Sequence, residues 1–229
     1  MFNLYCERAG AAGLWAEPLN AFTNLAFIVA AALAATRLVR TPGLGWRNGW
    51  DLWLLTLLLA AIGVGSGLWH TFATGWGLLA DVLPITLFIN VYLLSFGWRV
   101  LGLRWVGLPL LWVGYQAVSF GLVALFGADA LNGSVGYLPA LAFLIGFAGW
   151  LWHKGRPLWR AMAAAALLFA ISVTLRTLDV ALCARLPLGT HFLWHLLNAA
   201  LLFVLLNSLI NATRPQGQVS PVLSSHAGK

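Results

Sequence analysis

Residues 52–72 read LWLLTLLLAAIGVGSGLWHTF, a continuous stretch that contains no Asp, Glu, Lys or Arg. A transmembrane α-helix needs roughly 20 consecutive, mainly apolar residues, so this stretch predicts one membrane span by itself. Six further apolar segments, separated by Pro, Gly and Arg, lie near 18–38, 78–97, 104–126, 135–153, 158–181 and 188–210. The sequence therefore predicts an all-α membrane protein, a bundle of seven transmembrane helices.

The composition excludes a water-soluble globule. Hydrophobic residues make up 61% of the 229 residues and charged residues only 8%, with a mean hydropathy of +0.87, whereas soluble domains are about 25% charged. We expect residues 1–213 to form a single seven-helix membrane domain and residues 214–229 to form a flexible cytoplasmic tail. Because Glu7, Arg8 and Glu17 precede the first apolar segment, no cleavable signal peptide is expected.

The basic residues predict the orientation, since Lys and Arg are enriched in cytoplasmic loops. Ten of the 13 follow the first, third, fifth and seventh segments; Arg8 and Arg185 lie at the other face, and Arg176 lies within the sixth segment. This distribution predicts an external N-terminus and a cytoplasmic C-terminus. The net charge of +7 then reflects topology and contact with anionic membrane lipids. No basic, aromatic-rich module is present, so we expect no nucleic-acid partner.

Ionisable side chains collect at the outer ends of the predicted helices. Alternating the helix directions places six of them at this one face: Glu17, His70, Asp81, Asp179, His191 and His195. Ionisable groups are costly inside a bilayer, so a group of them at one depth is by default a functional site.

Three of these residues have the pattern of a metal site. His191 and His195 are four residues apart, which places both rings on one face of a helix. His70 is expected at the same depth. Three imidazoles with one open position are the usual ligand set of a catalytic zinc ion, so we predict Zn²⁺, although a single buried histidine is more often structural. His153 and His226 fall elsewhere, at the cytoplasmic interface and in the tail.

Ser66 and Asp81 are the candidate catalytic residues. Ser66 precedes His70 by four residues, so its hydroxyl could bond a metal-bound water or a developing oxyanion. It could equally bond its own helix carbonyl or permit close helix contact, and both readings stay open. Asp81, at the predicted start of the third helix, could orient or deprotonate the nucleophilic water. The alternative role for Asp81 is a simple helix cap.

Asp179 and Arg176 lie three residues apart on the sixth predicted helix and could form a structural ion pair. We favour this supporting role over direct chemistry, because a polar pair near a metal site commonly orients its ligands.

The two cysteines, Cys6 and Cys183, both fall on the side predicted to be external, where oxidation is permitted. We expect a disulfide that ties the N-terminal segment to the end of the sixth helix. The alternative is two unrelated apolar thiols, since sequence alone does not establish the distance between them.

Several short motifs resemble the alkaline ceramidase family, and they occur in the family's order along nearly the whole chain. The matching stretches are Tyr5-Cys6-Glu7, Ala16-Glu17-Pro18-Leu19-Asn20 with Thr23-Asn24, Gly65-Ser66-Gly67-Leu68-Trp69-His70 with Asp81, Asp179 with Cys183, and His191-Phe192-Leu193-Trp194-His195. The resemblance implies a seven-helix intramembrane hydrolase, of the superfamily that includes the adiponectin receptors, which cleaves ceramide to a sphingoid base and a fatty acid. It also implies the following roles: zinc binding by His70, His191 and His195, assistance to the water and the tetrahedral intermediate by Ser66 and Asp81, and a disulfide between Cys6 and Cys183.

The chain departs from the family at a calcium site that eukaryotic relatives hold near the N-terminus. Glu7 and Glu17 match, but two positions that flank the first motif have no oxygen-bearing side chain: Leu4 and Ala9. Ca²⁺ takes 6–8 oxygen ligands, so the sequence argues against a calcium site. Glu17 would then pair with Arg8 or bond the backbone near Asn20.

Short loops and a composition rich in Ala, Gly, Leu, Trp and Arg indicate a bacterial cytoplasmic membrane, with the active site toward the outer leaflet. Many bacteria make no ceramide, so the expected partner is a lipid amide, either ceramide or another N-acyl lipid.

Two alternatives remain open. A non-catalytic receptor or transporter is one, but a retinal protein needs a lysine in the seventh helix and the only lysines are Lys154 and Lys229; a transporter is expected to show broken helices or repeats. An amidase for a soluble N-acyl substrate is the other. Zinc content separates the receptor or transporter from the hydrolase, and product analysis with a lipid amide separates the two hydrolases.

Overall fold

The computed structural model describes residues 5–11 and 13–213, and this part of the chain consists of helices and connecting turns without a β-strand. The tail expected at 214–229, with His226, lies outside the described residues, as does Leu4. Seven helices of the described part are long and apolar enough to span a membrane: α1 Pro18–Val39, α2 Trp50–Phe72, α3 Gly75–Arg99, α4 Gly107–Phe126, α5 Val135–His153, α6 Trp159–Leu182 and α7 His191–Thr213. The predicted fold class is confirmed.

The predicted helix boundaries differ from the observed ones by a few residues, for local reasons. Helix α3 begins at Gly75 because the Thr74 side chain accepts a hydrogen bond from the Gly77 backbone N–H. Helix α7 begins at His191, three residues after its predicted start, because Gly189 forms a turn with φ +65°. Helix α1 consists of Pro18–Thr23 and Leu25–Val39, joined at Asn24.

Helices α2 and α7 occupy the centre of the bundle. In their most apolar 18-residue stretches, 50% of α2 and 56% of α7 is buried, against 6% for α4. Helix α2 packs on α1 and α3, and α7 packs on α1 and α6. Because α4 exposes an almost wholly apolar surface, it suits a position facing lipid. The three candidate zinc ligands are thus carried by the two most buried helices.

One glycine sets the spacing of α2 and α3. A Cβ added at Gly65 would collide with the backbone carbonyl oxygen of Ala80, so only glycine permits the two backbones to approach this closely. The contact brings Ser66 and Asp81, the residues that follow Gly65 and Ala80, together. Small residues around Ser66 therefore serve helix packing and also position the site.

The opposite end of the bundle carries a buried ion pair that also joins α2 to α3. Asp51 accepts hydrogen bonds from Arg99 Nη2 at 2.5 Å and Arg99 Nε at 2.8 Å, and from the Ser95 hydroxyl. Arg99 Nη2 also donates to the Asn48 carbonyl at 2.8 Å. Nothing in the apolar pattern of these helices indicated this cluster.

The predicted disulfide is confirmed: Cys6 and Cys183 are bonded, with their Cα atoms 5.2 Å apart. It fastens the N-terminal segment, including the short 3₁₀ helix Cys6–Arg8, to the end of α6. Because α7 begins just after α6 ends, the N-terminal segment lies against the start of α7.

Candidate metal centre

The three predicted ligands meet at one point. His70, from the end of α2, faces His191 and His195, from the first two turns of α7, and one ring nitrogen from each lies within 4.8 Å of the others. The ring centroids are 4.7–5.1 Å apart, and all three residues are buried. The prediction that these histidines share one site is confirmed, and the cluster could hold a metal ion.

Each ring has a buried nitrogen that finds no hydrogen-bond partner within the described residues: His70 Nε2, His191 Nδ1 and His195 Nε2. A buried polar atom without a partner is costly and rare. Three of them together, all able to act as ligands, are explained if they bind a common cation. Imidazole nitrogens suit zinc and several other transition metals, so the residues present fit the predicted ion.

The opposite nitrogens of two rings are held by hydrogen bonds that define their protonation. His70 Nδ1 lies 2.5 Å from Glu17 Oε2, and His195 Nδ1 lies 2.9 Å from Thr23 Oγ1. Thr23 donates its own proton to a main-chain carbonyl, that of Leu19 at 2.8 Å, so its oxygen accepts from His195. Both rings then carry hydrogen on Nδ1 and offer a lone pair on Nε2, as metal-binding histidines do.

Glu17 is a buried anion beside the cluster. Its oxygens accept hydrogen bonds from Arg8 Nε at 2.5 Å and Asn20 Nδ2 at 3.2 Å, which confirms the predicted pairing with Arg8. Burial raises the pKa of Glu17, but the hydrogen bond from His70 and the Arg8 guanidinium together hold it below its ordinary value. Glu17 therefore keeps its charge and favours His70 as a strong ligand.

Glu7 and Glu17 both match the family's calcium site in the sequence, but Glu7 has a different role in the structure. Its two oxygens accept the backbone N–H groups of Leu19 at 2.6 Å and Asn20 at 2.8 Å. These are first-turn donors of α1 that have no partner within the helix. Glu7 thus caps α1 and makes none of the described hydrogen bonds to the histidines.

Ser66 and Asp81 lie next to the cluster. Asp81 interacts electrostatically with His70 and lies beside the Ser66 hydroxyl, and its Oδ1 is buried without a partner in the described structure. Asp81 is in the second turn of α3, whose cap is Thr74, so the alternative reading of Asp81 as a helix cap is wrong. A buried carboxylate oxygen with no protein partner is suited to bind water or substrate.

The predicted ion pair between Arg176 and Asp179 does not form within the described part of the chain. Asp179 instead accepts the backbone N–H groups of Thr190 at 2.6 Å and His191 at 2.9 Å through Oδ1, and that of Cys6 at 3.1 Å through Oδ2. A carboxylate at a helix N-terminus is favoured by the orphan N–H groups and the helix dipole. Asp179 therefore fixes the start of α7, and with it His191.

A glycine makes this contact possible. A Cβ at Gly189 would collide with Asp179 Oδ1 and would lie 2.7 Å from Cys6 Cβ. Asp179 thus holds the N-terminus of α7 in place of the expected pairing with Arg176.

Arg176 has other partners. Its Nη1 donates to the Asn132 carbonyl at 2.5 Å and to Ser134 Oγ at 2.8 Å. Its guanidinium carbon lies 5.4 Å from the centre of the Tyr137 ring and 5.7 Å from that of Trp194. These two aromatic faces attract the cation and hold it on the side of the bundle that contains the histidines.

Tyr5 is a site residue that the sequence reasoning did not select. Its ring stacks on His191 with centroids 3.9 Å apart and lies 5.0 Å from His70. Burial raises the pKa of the Tyr5 hydroxyl above its ordinary value. The position of Tyr5 directly before Cys6 was the available signal, since a disulfide to the end of α6 brings this residue to the start of α7.

An apolar cavity of about 80 Å³ lies inside the bundle, and the three histidines are not among the residues that line it. All seven helices contribute to its wall, and the lining includes Phe27, Ile62, Phe88, Tyr115, Phe169 and Trp194. Trp194 precedes His195, and the Phe27 ring centroid lies 6.5 Å from that of His195, so two residues of the cavity wall lie next to a candidate metal ligand. On α3 the lining runs from Ile85 to Leu93, starting one turn after Asp81.

The described residues therefore form a seven-helix bundle in which three buried histidines, a carboxylate and a serine lie near an apolar cavity. This arrangement could hold a metal ion next to an apolar ligand. Comparison of the chain with protein-family models, with curated proteins and with solved structures found no match.

Proposed function

We propose that the protein is a zinc-dependent intramembrane amide hydrolase, which cleaves ceramide or a related N-acyl lipid to a fatty acid and an amine. The observation that carries the proposal is the set of three buried imidazole nitrogens without partners in the described structure, close to an apolar cavity. The resemblance of the sequence motifs to alkaline ceramidases supports it.

Zinc would be held by His70, His191 and His195, leaving one position open. When bound there, zinc supplies Lewis-acid polarisation of a carbonyl and lowers the pKa of a bound water to about 7. An amide is a weak electrophile, so a site that hydrolyses it needs both effects.

Asp81 is the proton carrier in this proposal. Water adds its oxygen to the acyl carbon and gives one proton to the free Asp81 oxygen. The C–N bond then breaks, and the proton passes from Asp81 to the leaving nitrogen, so the products are the fatty acid and the free amine. Ser66 donates its hydroxyl proton in a hydrogen bond to the acyl oxygen, which becomes negative as the water attacks.

The remaining contacts hold the ligands in place. Glu17 and Thr23 orient two rings through their Nδ1 atoms, and Asp179 holds the backbone at His191. Tyr5 covers the face of His191. Such outer partners orient metal ligands and raise their basicity. They also hold the histidine side chains in one conformation before the metal binds, so metal binding costs less conformational entropy.

The cavity supports a lipid substrate over a soluble N-acyl compound. On α3 its lining runs from Ile85, one turn after Asp81, to Leu93, a distance of about 12 Å along a helix that rises about 1.5 Å per residue. A wall of aliphatic and aromatic side chains suits an acyl chain. A soluble amide would leave most of this apolar surface unfilled.

The location of the site follows from the same proposal. The ten basic residues that the sequence assigns to the opposite face support a cytoplasmic position for that face. The histidine end would then lie in the outer leaflet of a bacterial cytoplasmic membrane, where a lipid amide reaches the cavity from the bilayer.

Zinc analysis combined with product analysis tests the proposal. Purified protein is expected to contain about one zinc ion per chain, as a three-histidine site predicts, and to release fatty acid from ceramide or from an N-acylethanolamine. His191→Ala should lose the metal and the activity. His153→Ala, an exposed histidine at the opposite end, is the matched control and should keep both.

Correct folding of both variants is checked by the Cys6–Cys183 crosslink in mass spectrometry without reductant. Full hydrolysis by His191→Ala would refute the metal mechanism. Zinc without any release of fatty acid would favour the non-catalytic receptor or transporter.

A further inference from the structure

We propose that Arg176 forms an oxyanion-binding subsite beside the cavity, so that the preferred substrate carries a carboxylate or phosphate on the amine side of its amide bond. This inference rests on the proposed function and narrows its substrate class. The leading substrate chemistry becomes an anionic N-acyl lipid, such as an N-acyl amino acid or an N-acyl phospholipid, in place of neutral ceramide.

The position of the guanidinium is the first observation. Arg176 lies over the rings of Tyr137 and Trp194, and both rings line the apolar cavity. Trp194 is adjacent to His195 in the chain. The cation therefore stands behind two residues of the cavity wall and close enough to His191 and His195 to interact with them electrostatically.

The second observation is its unused hydrogen-bonding capacity. An arginine has five N–H donors, and the described contacts of Arg176 use only Nη1, toward Asn132 and Ser134. Within the described residues Nη2 and Nε have no hydrogen-bond acceptor. A fork of two free donors matches the oxygens of a carboxylate or a phosphate.

Arg176 forms no ion pair within the described residues, whereas Arg8 pairs with Glu17 and Arg99 with Asp51. Asp179 uses its carboxylate to hold α7, and Asp81 interacts electrostatically with Arg176 without contacting it as an ion pair. A partly buried cation without an anion in direct contact is unfavourable, and an anionic ligand would reduce that cost.

A strained loop holds the guanidinium in place. Leu131, Asn132 and Gly133 follow one another with φ of 55°, 54° and 71°, a left-handed conformation that is unfavourable for leucine. The Asn132 side chain donates to the Arg176 carbonyl at 3.1 Å while its own carbonyl accepts from Nη1. Such strain persists where the surrounding structure needs it, commonly at ligand sites.

The geometry of the bound substrate connects these observations. An acyl chain in the cavity with its carbonyl at the histidines would leave the amine fragment near Arg176, whose guanidinium lies over Tyr137 and Trp194 at the cavity wall. A negative group on that fragment meets the free donors. A sphingoid base offers hydroxyl groups there and leaves the positive charge unpaired.

Matched substrates test the subsite in the zinc-loaded protein. N-hexadecanoylglycine and N-hexadecanoyl phosphatidylethanolamine carry an anion, whereas N-hexadecanoylethanolamine and ceramide are neutral. In the wild type, kcat/KM for the better anionic substrate should exceed that for the neutral ones by about tenfold or more, the range of a charge-assisted hydrogen bond. Comparing kcat/KM for the carboxylate substrate with kcat/KM for the phosphate substrate identifies the preferred anion.

Arg176→Gln should remove this preference, lowering kcat/KM for the anionic substrate about tenfold or more and changing that for the neutral ones less than about twofold. Arg176→Lys keeps the charge but loses the fork, and should retain part of the preference. The control is Arg185→Gln, which removes an exposed positive charge at the same end and should leave the ranking unchanged. The proposal is overturned if Arg176→Gln lowers kcat/KM for all substrates equally. It is also overturned if Arg176→Gln changes only the inhibition by free hexadecanoate, because Arg176 would then bind the carboxylate of the fatty acid product.

A binding measurement separates this inference from the proposed function. Decyl phosphate should raise the melting temperature of the wild type more than decanol does, and Arg176→Gln should abolish that difference while Arg185→Gln keeps it. If no amide is hydrolysed but this pattern holds, the subsite stands and the amidase proposal falls. If decyl phosphate and decanol act alike on the wild type, the subsite is refuted whatever the activity.

Discussion

The two ends of the bundle each bury a group of charged and polar side chains, but the hydrogen bonds of these side chains are satisfied at one end and only partly satisfied at the other. At the Asp51 end, Arg99 and Ser95 satisfy the carboxylate within the protein. At the histidine end, Glu17 and Arg8 are also paired. Nevertheless several buried atoms there lack partners in the described structure, among them His70 Nε2, His191 Nδ1, His195 Nε2 and Asp81 Oδ1.

This difference separates a structural cluster from a binding site. Both ends join α2 to α3, and burial alone does not distinguish them. A closed set of hydrogen bonds stabilises helix packing, whereas unsatisfied acceptors that point at one another require a ligand from outside the chain. Substitutions at the two ends should therefore affect different measured quantities.

The largest effect is expected from Asp81→Asn. Loss of the proton carrier should lower kcat for amide hydrolysis by about 100- to 10,000-fold, with zinc content unchanged because Asp81 is not one of the three ligands. Asp129→Asn, an exposed aspartate in the loop before α5, should match the wild type. Unimpaired turnover by Asp81→Asn would remove Asp81 from the mechanism.

Asp51→Ala should act on stability instead. Removing one partner leaves the Arg99 charge buried and unpaired, which costs about 3–5 kcal/mol, so the melting temperature should fall markedly. The protein that remains folded should keep its zinc and its kcat. A loss of zinc at normal stability would contradict the separation of the two ends.

The double variant Cys6→Ser with Cys183→Ser should be intermediate. Loss of a disulfide costs about 2–4 kcal/mol, and here it also releases Tyr5 from the face of His191. We expect a lower melting temperature together with weaker zinc retention during dialysis against a chelator. An effect on melting temperature alone would show that Tyr5 does not support the metal ligands.

Glu17→Gln should weaken zinc binding about 10- to 100-fold, as loss of an outer partner of a metal ligand does. The control is Glu7→Gln, because Glu7 caps the same helix without touching a histidine. Chelator competition measures both variants. Equal weakening in the two would assign the effect to the packing of α1 and not to His70 Nδ1.

The smallest effect is expected from Thr23→Val, which removes one neutral acceptor of His195 Nδ1. A hydrogen bond of this kind contributes about 0.5–1.5 kcal/mol, so the zinc dissociation constant should rise a few-fold. Thr174→Val is the control, since Thr174 is exposed and bonds the carbonyl of Ala170 in its own helix. Identical zinc affinity in Thr23→Val would show that His195 needs no orienting partner.

Much of the site was predictable because membrane helices impose simple geometry. Their length follows from the thickness of the bilayer, and their alternation places His70 near His191 and His195 without knowledge of the packing. The spacing of four residues then puts the last two on one helix face. The disulfide was predictable for the same reason, since Cys6 and Cys183 fall at one end of the bundle.

Other contacts were not predictable, and Asp179 illustrates why. Sequence spacing paired it with Arg176, the nearest charge on its own helix, but the free N–H groups at the start of α7 compete for the same carboxylate and are closer in space. Thr23 belongs to one of the family motifs, but no local sequence pattern predicts that its hydroxyl oxygen accepts a hydrogen bond from His195. These pairings depend on how neighbouring helices are rotated, which the apolar pattern does not encode.

By itself, the sequence determined the seven spans and the common depth of the three histidines, because hydrophobic length and helical period act along one chain. The tertiary structure alone decided the identity of each hydrogen-bond partner, the place of Tyr5 on His191, and the shape of the cavity. It also decided that Arg176 keeps two free donors beside that cavity. Those features arise only when separate helices meet, because distances between side chains of different helices are set by packing and not by sequence spacing.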